Sequence, residues 1–188
     1  MGAFLMVEAG YEPSQLMTRL RSYGGKGVLS FLLALFSFCN PDEGTDANSD
    51  KELREWFTHL QTFVEQPLCD VFKPIVDCMW GDSGEFGPDF LEDEYQWYVK
   101  RNPQTDMTEA EFQQSVREGM KHWQPIDAVM SNVKLVINLF KIKGLGSIEG
   151  YYTAKELTDD MIPQFESLYD TLTILKKNYY EVVRLTFY

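Results

Sequence analysis

The last ten residues, YYEVVRLTFY, alternate with period two: Val183, Leu185 and Phe187 face one way and Val182, Arg184 and Thr186 the other. A β-branched and aromatic alternation of this kind is a strand pattern. It closes a chain whose other apolar residues recur mostly at the three-and-four spacing of helices. A strand needs partners, and a two-stranded ribbon is marginal in water. The segment Ala3 to Val7 (AFLMV) is the candidate strand at the other end. The tail is therefore expected to pair with it and with a third strand, and to pack against a helix over 163–177. This brings the chain termini together and sets the fold class as α+β: a helix-dominated single domain with a small sheet formed by the chain termini.

The helical expectations follow the apolar spacing. Ile126, Val129, Met130, Val133, Val136, Ile137 and Phe140 share one face, with Leu135, Leu139 and Ile142 on others and Pro125 as first helical residue, so this helix is expected to be central. Glu12-Pro13 opens a helix carrying Leu16, Met17, Leu20 and Tyr23, closed by Gly24-Gly25. The run Val28 to Phe38 is a buried helix, too short for the roughly 20 residues a membrane span needs. Ser49 and Glu52 form a capping-box pattern before Leu53, Trp56, Phe57, Leu60, Phe63 and Val64, helical up to Pro67. Leu68, Val71, Phe72, Ile75 and Met79 continue the period to Trp80, with Pro74 kinking or splitting the helix. Tyr95 to Lys100 is ambiguous between strand and helix. A second capping-box pattern, Thr108 and Glu111, precedes Phe112, Val116 and Met120. Ile148 to Tyr152 is a candidate short strand and Thr153 with Glu156 a third cap. Pro163 restarts a helix with Phe165, Leu168, Tyr169, Leu172 and Leu175, ending at Asn178 in the left-handed conformation.

A chain of 188 residues fits one domain, 1–188, with acidic surface loops near 41–50 and 81–94. The start MGAFLMVEAG has no basic segment, and Met6 stands where a myristoylation pattern wants Ser or Thr. Neither signal peptide nor lipid anchor is expected, and a cytoplasmic home follows. Three cysteines, Cys39, Cys69 and Cys78, without a CxxC pair suit a reducing compartment and buried, inert thiols better than a disulfide framework.

Both histidines follow an arginine by five residues: Arg54 to His59 (REWFTH) and Arg117 to His122 (REGMKH). The spacing resembles the R-x4-6-H signature of the HEPN ribonucleases. That resemblance implies a small helical fold in which Arg54, His59, Arg117 and His122 would be catalytic, with Arg and His flanking a scissile phosphate across a dimer interface. This chain departs from the pattern in two ways. Glu55 and Glu118 follow the arginines, where the family prefers Asn, Asp or His, and a C-terminal strand breaks the all-helical expectation. Five residues also turn a helix by about 140 degrees, so Arg54 and His59 would need a second subunit to converge.

Other motifs fail on inspection. The stretch Asp46, Asn48, Asp50 imitates the first calcium ligands of an EF-hand, but Lys51 replaces the turn glycine and Phe57 the bidentate glutamate. Gly24-Gly25-Lys26-Gly27 lacks the P-loop's earlier glycine and its Ser/Thr, and Gly144-x-Gly146 ends in Glu149 rather than a third glycine. Two histidines outside any HExxH and unspaced cysteines give no metal site, and no cofactor motif appears. The carboxylates Glu92, Asp93, Glu94 and the pair Asp159 and Asp160 have the residue type for acid–base work, but the raised pKa it requires is not legible in a sequence.

Charge points elsewhere. Acidic residues number 29 against 17 basic, a net charge of −12. Such a surface repels phosphate backbones and membrane surfaces and attracts cationic partners, so neither direct nucleic-acid binding nor membrane binding is expected. The acidic, aromatic stretch 82–97 combines electrostatic steering with aromatic anchors, and its candidate partner-binding residues are Asp82, Glu85, Phe86, Asp89, Phe90, Glu92, Asp93, Glu94 and Trp97. The expectation is a non-catalytic, acidic interaction protein that binds and inhibits a basic protein partner. By analogy of size and charge this is how immunity proteins, antitoxins and phage anti-defence inhibitors work. A HEPN-like ribonuclease and a subunit of a larger assembly are the alternatives, and homodimer formation is left open.

Overall fold

The computed structural model describes residues 4–11, 18–24, 27–42, 51–81, 92–141 and 157–187. Strands β1 (Phe4–Gly10) and β2 (Thr18–Gly24) precede helices α1 (Val28–Cys39), α2 (Lys51–Gln61), α3 (Leu68–Val71) and α4 (Lys73–Asp77). Strand β3 (Met79–Gly81), helices α5 (Tyr95–Arg101) and α6 (Glu109–Met120) and a short β4 (Gln124–Pro125) follow. Helix α7 (Ile126–Lys141) comes next, and a π-helical turn (Leu157–Met161) leads into α8 (Ile162–Lys177) and the final strand β5 (Val182–Phe187). The architecture is α+β, with the terminal strands paired as the sequence pattern requires.

The sheet runs β2-β1-β5-β3, with β4 also on β5. Strands β1 and β5 are antiparallel, Val7 opposite Leu185 and Glu8 opposite Arg184, whereas β3 is parallel to β5 with Trp80 opposite Thr186. Leu5, Val7, Ala9, Val183 and Leu185 join the helices in one main core. The other face is also covered: Glu8, Arg184 and Thr186 are all buried.

The helical layer is built around α1. Phe31 packs edge-on against Phe57, Phe140 and Phe165 at centroid separations of 5.1, 5.3 and 5.2 Å, geometry that favours aromatic quadrupoles. The start of α1 is pinned to α8, where the Val28 N–H donates to Gln164 Oε1 at 3.3 Å. Gly27 precedes it with φ 107, a conformation that favours glycine, and a Cβ there would lie 2.3 Å from Gln164 Oε1, so the Gln164 side chain would have to move. Helix α7 is less enclosed than its sequence suggests. Asp127, Ser131, Lys134 and Asn138 form an exposed stripe, and α1 takes the central position.

Several sequence expectations are corrected. The segment expected as a helix closing at Gly24 is strand β2 from Thr18 onward, paired with β1 from Phe4–Gly24 to Ala9–Thr18; its residues 12–17 lie outside the described set. The short apolar spacing of Leu20 and Tyr23 fits either period, and the free edge of β1 decides between them. Helix α2 stops at Gln61 rather than running to Pro67, leaving Phe63 70 % exposed. Pro74 splits rather than kinks its helix, sitting in the first turn of α4. At the break, the buried Asn132 of α7 donates to Val71 O and accepts from the Ile75 N–H, both at 3.2 Å. This satisfies backbone groups that the proline leaves outside a helical ladder. Met79 and Trp80 are in strand β3, not helix, because β5 offers them a pairing edge. Pro125 pairs with Val182 and Ile126 opens α7. Tyr95 to Lys100 is helical. The capping box of Thr108 and Glu111 is present on α6, while Ser49 of the box proposed with Glu52, the pair Thr153 and Glu156, and the strand at 148–152 fall outside the described residues. At the end of α8 the left-handed residue is Tyr179, one beyond Asn178.

The cysteine expectation is half overturned. Cys39 at the end of α1 and Cys69 in α3 are joined in a disulfide, with Cα atoms 5.4 Å apart. Two residues 30 apart in sequence give no pattern to reveal this. Only Cys78 is a free, buried thiol. It donates to Val183 O at 3.3 Å, and burial pushes its pKa up to about 12, so it is inert as a nucleophile.

Candidate functional site

The hairpin of α5 and α6 forms its own small core, where Tyr98, Phe112 and Val116 are buried and Trp80, Tyr95, Val99, Met107 and Met120 pack around them. The Tyr95 hydroxyl donates to Met107 O at 2.8 Å, and the Tyr98 and Thr105 hydroxyls lie 3.1 Å apart. These bonds tie the connecting loop to α5. At the start of α6 the Thr108 N–H donates to Glu111 at 2.8 Å and the Glu111 N–H to the Thr108 hydroxyl at 3.3 Å. The Thr108 bonds hold the Glu111 carboxyl below its usual range.

From this rigid hairpin Trp97 projects outward, 60 % exposed, with Lys100 Nζ 5.1 Å above its ring. An ammonium already on the ring face shows that the indole can receive a cation. Glu92, Asp93 and Glu94 precede the helix. Glu92 accepts from Arg117 at 3.1 Å, Asp93 is exposed, and the Glu94 carbonyl receives the Trp97 and Tyr98 N–H groups. Of the nine candidate partner-binding residues, these four are brought together; Asp82, Glu85, Phe86, Asp89 and Phe90 lie outside the described residues.

The two Arg/His pairs are placed differently. Arg54 and His59 lie on the exposed side of α2, His59 against Phe63 at 5.1 Å. Arg117 is held by Glu92. His122 is half-buried, its Nδ1 3.0 Å from Asp77 O and its ring stacked on Trp80 at 6.1 Å. Burial, then the Arg184 charge, depresses its pKa against the opposing pull of the Asp77 carbonyl. No hydrogen bond, ion pair or ring contact joins these four side chains among the described residues.

The polar feature that sequence reasoning missed lies beneath the hairpin. Arg184 of β5 is 2 % exposed and donates through Nε to Glu8 at 2.9 Å and through Nη1 to Gly119 O at 2.9 Å. Its guanidinium lies over Trp80 at 4.8 Å and Trp123 at 4.5 Å. Gly119 allows the approach, since a Cβ there would meet the Trp80 ring at 2.6 Å. The node fastens the end of α6 to the sheet. The only signal in the sequence was a lone charged residue in the final strand.

A groove of about 620 Å³ also opens between α7 and α8, with Lys134 over the Tyr169 ring and Lys176 paired with Asp127. Among its described lining residues, the Ser131 hydroxyl donates to the Asp127 backbone carbonyl rather than to a base. Among the described residues no three metal-binding side chains cluster, and no helix is long and apolar enough to cross a membrane. Comparison of the chain with family models, curated proteins and solved structures returned no match.

Proposed function

We propose that this chain is a non-catalytic interaction protein that binds a basic protein partner and inhibits it, as immunity proteins, antitoxins and phage anti-defence inhibitors do. The observation that carries the reading is Trp97, a large aromatic 60 % exposed on a hydrogen-bonded hairpin next to Glu92, Asp93 and Glu94. Lys100 holds the place on the indole that an arginine or lysine of the partner would take. The net charge of −12 supports long-range attraction, and the fixed tryptophan supports a centre of binding energy.

A cytoplasmic home belongs to the proposal. It requires that the Cys39–Cys69 bond be one the protein can lose without losing its fold, because cytosolic thiols reduce such pairs.

The test is affinity capture from the native host with wild-type and Trp97→Ala protein on the support, eluted in rising salt. The expected result is a strongly basic protein that is retained by the wild type, released by salt, and lost with Trp97→Ala. Retention by both proteins alike, or a partner of acidic character, would overturn the reading.

A further inference from the structure

The turn from α8 into β5 holds a bulky side chain in a disfavoured backbone conformation and leaves it almost bare. Tyr179 has φ 68 and is 83 % exposed. The conformation itself has a cause. The Tyr180 N–H donates to Leu175 O at 3.2 Å and the Tyr179 N–H to Lys176 O at 3.0 Å, the pair of bonds that closes a helix when the intervening residue is left-handed. Glycine suits that position because a Cβ crowds the following carbonyl. A tyrosine there gains no burial in return, and disfavoured backbone of this kind is commonest where a surface is used.

Tyr179 has company. Tyr11, 39 % exposed, stacks on the half-buried Tyr180 with centroids 5.1 Å apart and planes at 17°. Ile174, five residues earlier on α8, is 57 % exposed. The corner is fixed in place, since the Glu181 N–H donates to Gly10 O at 3.1 Å and the Ile126 N–H to Glu181 O at 3.0 Å. At its rim stand Lys177 and Glu181, both exposed and neither in an ion pair among the described residues.

We propose that this corner is where two copies of the chain meet about a two-fold axis. A two-fold contact uses the same patch on both partners, so a cation and an anion on one rim become each other's partners across the axis. The tyrosines at the centre bury large area while losing few rotors. The proposal is independent of the inhibitory reading. Salt screens both the repulsion between two bodies of net charge −12 and the Lys177–Glu181 attraction across the axis, so the dimer is measured at one salt concentration.

Sedimentation velocity of the full chain over a wide dilution series, at near-physiological salt, tests this. The wild type is expected to dimerise with concentration. Tyr179→Gly is expected to melt at a higher temperature than the wild type while raising the dimer Kd at least about tenfold, which separates loss of contact from loss of fold. Lys177→Glu should weaken the dimer and the added Glu181→Lys restore it. A wild type that stays monomeric throughout, or a Tyr179→Gly protein that dimerises as the wild type does, overturns the proposal.

Discussion

Arg184 shows how much a single side chain can decide here, and how little of it a sequence discloses. Its position on one face of the final strand follows from the period-two alternation, but its partner Glu8 lies 176 residues away and is found only through the β1–β5 register. Charge is tolerated at this depth because the guanidinium has a carboxylate, a carbonyl and two indole faces around it. Removing one member of such a pair strands the other in the interior. Arg184→Ala is therefore expected to lower stability by about 3–5 kcal/mol, whereas the apolar pair Glu8→Leu with Arg184→Met should recover most of that loss. Urea unfolding of the three proteins checks it, and an Arg184→Ala midpoint equal to that of the wild type would contradict the account.

At the scale of elements, the apolar period was a good guide where a helix packs with one face and a poor one where a strand competes. Helices α1, α6, α7 and α8 were legible because long periodic runs have one cheap way to bury themselves. Strands β2 and β3 were not, since seven and three residues carry too little pattern and their pairing edges come from distant chain. Of the proposed site, the acidic run and Trp97 were legible as composition. That α5 is a helix presenting Trp97 outward depended on the Tyr98–Phe112 packing, which composition does not encode.

The joint between α6 and the sheet also has a pH dependence. His122 has its pKa lowered from 6.5, chiefly by burial, so the folded state binds fewer protons than the unfolded chain just below that value. Stability from this group is complete above pH 6.5 and declines as pH falls from there to the depressed folded pKa. The wild type should lose more stability between neutrality and mild acid than His122→Gln, in paired denaturant titrations. Glu111 and Glu118, lowered from 4.5, act in a more acidic range and leave that comparison clean. Parallel curves for the two proteins would remove His122 from the explanation.

For the whole molecule, two features pull on stability in opposite directions. A net charge of −12 repels itself more strongly in the compact state than in the expanded chain. The Cys39–Cys69 bond closes a loop of 30 residues around α2, which restricts the unfolded ensemble far more than the native state. By loop-closure entropy that is about 3–4 kcal/mol. The core around Phe31 is assembled from α1, α2, α7 and α8 through aromatic contacts that involve neither sulfur, so reduction should weaken the fold and leave its cooperativity intact. Denaturant unfolding of the oxidised protein, the reduced protein and the Cys39→Ser/Cys69→Ser variant should place the last two together, about 3–4 kcal/mol below the first. Identical curves for oxidised and reduced protein would mean that the pair is not bonded. A chain that unfolds outright on reduction would exclude the cytoplasmic home proposed for it, because its stability would then depend on a bond that compartment does not maintain.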